Sequence, residues 1–301
     1  MTADSDGPSP EYQLRIREAG AVVDMPLTQS LYGPLLFAQR RDGVTITRDI
    51  AYGPHARHRI DLYRPDDQRS ASLPVLLFLH GGGFIRGDKG EKENIGLYFA
   101  REGFVVALAN YRLAPANPWP CGAEDVTASF EWLRANVALH GGDAQRIFIG
   151  GESAGAAHVA AATLRRRFHP GGGLGVSGIV LISGVYDVEL ERLARKQFGV
   201  ATPDPRNDAY FGLDGARHAE MSTVRNIDAA PVPTLITYAE LDPPQMQVQA
   251  GELFAELVTR HRFAPELFVV RGHNHLTQVY AINTGDQSLA APVCDFLRRH
   301  S

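Results

Sequence analysis

Arg146-Ile147-Phe148-Ile149-Gly150-Gly151-Glu152-Ser153-Ala154-Gly155 is the stretch that decides the fold. It runs from a short apolar segment into a Gly/Ser turn and then into the Ala-rich stretch 154–168. The short segment Arg146-Ile147-Phe148-Ile149, ahead of turn residues, reads as a strand buried on both faces. The turn itself, Gly151-Glu152-Ser153-Ala154-Gly155, has the form G-x-S-x-G. Alone that pattern is weak, because glycine and serine are common and a plain surface turn explains it equally well. Set between a strand and a helix, it reads as a sharp turn that holds Ser153 in a strained conformation between small neighbours. The serine oxygen would then sit at a helix N-terminus, where the dipole favours developing negative charge.

Outward from this turn the same kind of strand recurs. Continuous apolar runs occupy 74–79 (PVLLFL), 104–109 (FVVALA), 178–183 (GIVLIS), 234–238 (TLITY) and 266–270 (ELFVV). Helical stretches separate most of them, at 91–102, 123–138, 154–168 and 244–260. Strand alternating with helix predicts an α/β fold with a mostly parallel sheet covered on both faces. Two earlier strands, 44–51 and 59–63, follow each other closely and should form an antiparallel edge.

Before them, 11–41 reads as two or three short helices broken or started by Pro26 and Pro34, and 1–10 as a loose tail. About fifty residues between Ser183 and Pro233 are too many for a plain loop. Within them, 188–198 reads as a helix ended by Gly199. The expected organisation is therefore 1–41 as tail and cap helices, and 42–301 as a catalytic domain with a cap insertion at about 184–230.

Composition narrows the function. The 301 residues carry 44% hydrophobic and 21% charged side chains and a formal charge of −4. No Lys/Arg block suggests nucleic acid or an anionic membrane as partner, and no apolar run reaches the roughly 18 residues of a membrane span. The polar start lacks the basic and apolar regions of a signal peptide, so the expectation is a cytoplasmic protein, monomer or homodimer. Cys121 and Cys294, without any CxxC, imply neither a disulfide framework nor a zinc site.

Two further constellations bear on the serine. His80-Gly81-Gly82-Gly83 closes the strand 74–79, and glycines there let backbone N–H groups turn toward a ligand. Two such donors with the N–H of Ala154 would cradle an oxyanion. The same loop, read as GGFIRGDK over 82–89, is a near match to a phosphate loop, but Asp88 stands where the lysine belongs. Gly171-Gly172-Gly173 is assigned no role. Past the strand 234–238 come Glu240 and Asp242, either of which could orient a histidine. Past the strand 266–270 come His273 and His275. As an H-x-H pair these two could also bind a metal, though no third ligand is evident. His80 reads as a loop-shaping residue, and His55, His58, His140 and His261 as surface residues.

Taken together, these residues resemble the hormone-sensitive-lipase-like carboxylesterases, a branch of the α/β-hydrolase superfamily. The HGGG and GESAG pair, in that order, is highly specific. Asn110-Tyr111-Arg112-Leu113-Ala114-Pro115 is similar to the family's DYRLAPE segment, followed by Pro118, Pro120 and Glu124-Asp125. Pro231-Val232-Pro233-Thr234 and Ala239-Glu240-Leu241-Asp242-Pro243 resemble the stretch around its acidic triad member. The resemblance covers roughly 58–300.

It implies Ser153 as nucleophile, Asp242 rather than Glu240 as the acid, and Gly82, Gly83 and Ala154 as the oxyanion hole. Its usual spacing from a glycine points to His275 rather than His273 as the base, and a residue past the strand end also reaches over the sheet more easily. The expected activity is hydrolysis of short-chain esters of small molecules through an acyl-enzyme, with no cofactor or metal. Asn110 for Asp, Ala116 for Glu, Glu152 for the commoner Asp and His275-Leu276-Thr277 for His-Gly-Phe lean toward other carboxylesterases and arylformamidase-like relatives. An amidase such as an arylformamidase, and a non-catalytic hydrolase-fold binding module, are the alternatives.

Overall fold

The computed structural model describes residues 7–66, 72–171, 173–197 and 205–301. Phe198, Gly199, Gly172 and the first six residues of the expected tail lie outside them.

The chain opens with α1 (Pro10–Ala19) and α2 (Met25–Phe37). Each has a proline in its first turn and an N-cap side chain, Ser9 accepting from Tyr12 N–H and Asp24 from Leu27 N–H. Next come β1 (Val44–Ala51), β2 (Arg59–Pro65), β3 (Leu73–Leu79), α3 (Glu93–Arg101) and β4 (Val105–Ala109). They are followed by α4 (Cys121–Asn136), β5 (Gly142–Glu152), α5 (Ala154–Leu164) and β6 (Gly178–Ile182). The long connection holds α6 (Val188–Gln197), α7 (Pro205–Phe211) and α8 (Gly215–Met221). The chain closes with β7 (Thr234–Leu241), α9 (Pro244–Thr259), β8 (Glu266–Asn274), α10 (Thr277–Tyr280) and α11 (Ala290–Arg299). Among the described residues no helix is long and apolar enough to cross a membrane.

All eight strands form one sheet in the order β1-β2-β4-β3-β5-β6-β7-β8. β1 and β2 make the antiparallel edge, and every pairing from β4 to β8 is parallel. The apolar runs are continuous because both faces are covered. Val75, Leu77, Leu79, Ile147, Ile149, Ile179 and Leu181 join the core under α4, α5 and α9. The alternate residues Leu76, Phe78, Phe148, Val180 and Ile182 join a second core, built with Ile95 and Phe99 of α3 and Phe296 and Leu297 of α11. This is the period-2 alternation of a pleated strand, with both sides apolar.

From β3 the chain moves to β4 on one side, then returns to place β5 on the other. β3 and β5 therefore flank a topological switch point, where loops at the strands' carboxyl ends diverge and leave a crevice. The loop 80–83 and Ser153 both sit there.

Candidate active site

Ser153 stands between β5 and α5 with φ 52° and ψ −118°. This left-handed conformation is costly for a residue with a Cβ. Its surroundings hold it: Ser153 N–H donates to Ile182 O (2.8 Å), and Ala157 N–H donates to Ser153 O (3.1 Å). The flanking glycines are required by space. A Cβ on Gly155 would lie 2.3 Å from Leu79 O, and one on Gly151 would lie 2.5 Å from the Gly155 carbonyl carbon. The turn is thus pressed against its own helix and against the end of β3, which thrusts the serine side chain outward.

His275 approaches from the last strand. β8 runs on to Asn274, beyond the apolar run that ends at Val270, so His273 lies within the strand and His275 just past it. The Asn274 side chain accepts from Thr277 N–H (3.1 Å) and Leu276 N–H (3.3 Å), which turns the chain back at that point. His275 Nε2 lies 3.0 Å from Ser153 Oγ, and His275 Nδ1 lies 2.6 Å from Asp242 Oδ1. A carboxylate only accepts, so Nδ1 carries the proton and Nε2 presents its lone pair to the serine.

Asp242, fully buried past the end of β7, also accepts at Oδ2 from Ser183 Oγ (2.5 Å) and Ala239 N–H (2.7 Å). Gln278 donates to Ser183 Oγ (2.7 Å) and His275 O (3.2 Å), locking acid and histidine together from behind. Neither Ser183 nor Gln278 had a sequence signal, since both act across the fold.

The competing candidates are placed elsewhere. Glu240 accepts from Gly272 N–H (2.8 Å) and Arg17 (3.4 Å), tying β8 and α1 to the end of β7. His273 is fully buried, with Nδ1 3.2 Å from Thr277 Oγ1 and Nε2 3.1 Å from Asp286 Oδ2. Its neighbours are a hydroxyl and a carboxylate. His58, expected at the surface, is buried with Nε2 3.1 Å from Asp125 Oδ1, because the antiparallel edge folds it against α4. The phosphate-loop alternative also fails on geometry: Lys89 is buried, with Nζ 2.8 Å from both Asp49 and Asp61.

His80 stacks on Tyr111 at 4.4 Å with Nδ1 2.7 Å from Gly81 O, and burial pushes its pKa down to about 4. A neutral ring there braces the glycine loop. Gly82 and Gly83 have φ 134° and 59°, values open to glycine. Among the described residues the N–H groups of Gly82, Gly83 and Ala154 meet no protein acceptor.

Gly82 and Gly83 line a cavity of about 960 Å³ together with Ser153 and His275. Its apolar lining includes Val22, Val23 and Met25 from the N-terminal segment and Leu276. Glu191, Arg206 and Asn207 from the long connection also line it.

Burial alone would lower the His275 pKa, but the facing carboxylates of Asp242, Glu152 and Glu191 outweigh it and raise the value above ordinary histidine. A histidine serving as base must be neutral. If His275 is that base, kcat/KM is expected to rise with pH through an apparent pKa above about 6.5, the value of free histidine. A pH–rate profile of kcat/KM checks this, and a midpoint below that value would contradict it.

Residues 76–278 match the family described as alpha/beta hydrolase fold. The chain belongs to this α/β-hydrolase family. A bacterial heroin esterase is similar to it at 27% identity and TM-score 0.77, over 99% of both chains. An esterase of the bacterial hormone-sensitive lipase family shares its fold at 23% identity and TM-score 0.73, over 98% of this chain and 99% of that one. Among curated proteins, a probable isoprenylcysteine alpha-carbonyl methylesterase of Oryza sativa subsp. japonica is 40% identical over 119 residues, 40% of this chain and 28% of the relative. A probable carboxylic ester hydrolase, LipM, of Mycobacterium tuberculosis is 34% identical over 148 residues, 46% of this chain and 34% of the relative. The chain thus spans about a third of the length of these curated relatives.

Proposed function

We propose that this chain is a serine carboxylesterase acting on small-molecule esters. The observation that carries the reading is the unbroken line Asp242–His275–Ser153, opening onto a cavity lined by Gly82 and Gly83, whose N–H groups meet no acceptor among the described residues.

In this reading Ser153 Oγ attacks the ester carbonyl carbon while His275 Nε2 takes its proton. Asp242 holds the Nδ1–H tautomer and stabilises the imidazolium that forms. Gly82, Gly83 and Ala154 N–H groups receive the carbonyl oxygen as it gains charge. The imidazolium then gives its proton to the departing alkoxide, leaving an acyl-Ser153. Water, deprotonated by the same histidine, attacks that acyl group and releases the acid. The described parts of 1–41 and 184–230 serve as the cap in this reading, since Val22, Val23, Arg206 and Asn207 line the cavity that holds the serine. The likeness to a heroin esterase over nearly the whole chain supports ester bonds as the target.

A fluorophosphonate should label Ser153 in the wild type and nothing in Ser153→Ala, read by peptide mass spectrometry. Wild-type turnover of p-nitrophenyl butyrate should exceed that of N-formylkynurenine, and the reverse order would favour an amidase.

Phe84, part of the cavity lining, stacks on Tyr210 at 4.6 Å and meets Phe211 edge-on at 5.0 Å. Acyl chains of about two to six carbons are expected to be preferred, because a longer chain would have to displace packed aromatic rings. A series of p-nitrophenyl esters from acetate to laurate checks this, and faster turnover of laurate than of butyrate would refute it.

A further inference from the structure

Glu152 sits beside the nucleophile, and nothing in the mechanism above uses it. It is buried, it lines the cavity that contains Ser153, and its carboxylate holds the N–H of Gly81, the residue just before Gly82 and Gly83 of the proposed oxyanion hole. Two contacts account for its presence. Its Oε1 accepts from Gly81 N–H (3.0 Å), tying the oxyanion loop to the serine turn. The same oxygen pairs with Nζ of Lys92, also buried, which reaches across from just before α3. Gly81 is pressed so closely against this turn that a Cβ there would lie 3.2 Å from both Glu152 Cγ and Ser153 Cβ. Lys92 is held in turn over the Tyr280 ring, 4.6 Å from its centroid. Lys92, Glu152 and Tyr280 all line the cavity that contains Ser153.

A buried carboxylate next to an oxyanion site works against the charge that must form there, and in a site with little water that repulsion is strong. Leaving one member of such a pair unpartnered is costly as well.

We propose that Lys92 is a positioning residue of the active site: its ammonium neutralises Glu152, so that the carboxylate can anchor the oxyanion loop through Gly81 without opposing the oxyanion. This deepens the serine-esterase reading and rests on it. The chain is then expected to require the two charges together, more than either alone.

The groups that face His275 are Asp242, Glu152 and Glu191. Removing the ammonium exposes the Glu152 charge to both the oxyanion and the imidazole. Lys92→Met is expected to lower kcat on p-nitrophenyl butyrate, and the rate of Ser153 phosphonylation, by about 10- to 100-fold with KM within about threefold. It should also move the His275 titration, followed by NMR of the imidazole, to higher pH. Glu152→Gln retains an acceptor for Gly81 N–H and removes the charge, so its titration should move to lower pH. In the double variant Glu152→Gln/Lys92→Met, kcat and phosphonylation should recover at least about tenfold over Lys92→Met, with the titration back near wild type. Lys92→Arg, which keeps the charge, covers the case in which Lys92→Met does not fold, and should stay within about fivefold of wild type.

Wild-type rates retained in Lys92→Met, or no recovery in the double variant, would overturn the proposal. So would a Lys92→Arg protein as inactive as Lys92→Met. Absence of phosphonylation in the wild type would instead refute the serine-esterase reading, and the NMR titrations would still decide whether the pair acts on His275.

Discussion

Ser153→Ala is expected to lower kcat by at least about 10⁴-fold, since members of a catalytic triad act as a unit and their losses do not divide between them. The alanine removes Oγ alone. It keeps the Cβ, so the backbone at φ 52° is no more strained than before, and the hydrogen bonds of Ser153 N–H and O to Ile182 and Ala157 remain. His275 loses one neighbour, Oγ at 3.0 Å, on the side that opens to the cavity. Folding stability should therefore change little, and the binding of a substrate analogue hardly at all. Steady-state kinetics on p-nitrophenyl butyrate, beside thermal unfolding and an inhibition constant for a non-hydrolysable analogue, separate these effects. A variant that kept a tenth of the activity would remove Ser153 from the mechanism.

The second large effect divides two histidines that stand two residues apart. His275→Ala is expected to cost several orders of magnitude in kcat, because it takes away the group that bridges Ser153 and Asp242. The Tm should move modestly, since the ring borders the cavity. His273→Ala should show the opposite pattern. That ring lies wholly inside, between Thr277 Oγ1 and Asp286, and has no contact with Ser153. Its removal leaves a hole and a buried carboxylate without its neighbour, a loss of about 2–4 kcal/mol in stability. Activity should fall by about tenfold at most, through misplacement of the turn that carries His275. Measuring kcat and Tm on both variants gives a crossed result. If His273→Ala were as inactive as Ser153→Ala while His275→Ala still turned over, the roles would have to be exchanged.

The strands could be read because both sheet faces are apolar, which writes each parallel strand into the chain as an unbroken run. Where that condition fails, the reading shortens. β8 continues through Arg271-Gly272-His273-Asn274, a polar stretch that slips register against β7 and rejoins it at Asn274 opposite Leu241, which the run 266–270 did not announce. The serine turn was legible for a local reason, since two glycines within four residues record a steric demand of the turn itself. The partners that matter across the fold left no such trace. Lys92 sits near the start of an amphipathic helix and is indistinguishable in sequence from a solvated lysine. His58 is as polar as any surface residue, and only its burial against Asp125 sets it apart. Ser183 and Gln278, which brace Asp242, are ordinary polar residues until the ends of β6, β7 and β8 are brought together.

The hydrogen bond between His275 and Ser153 joins residues 122 positions apart, and β8, from which His275 hangs, pairs on one side only, with β7. Contacts between residues this far apart in sequence slow folding, and an edge strand has a single neighbour to hold its register. Catalysis of this kind would therefore register whether the final strand has docked. After dilution from denaturant, esterase activity would return later than the helical signal at 222 nm. A protein clipped between β7 and β8 would keep its far-ultraviolet spectrum largely intact while its turnover vanished.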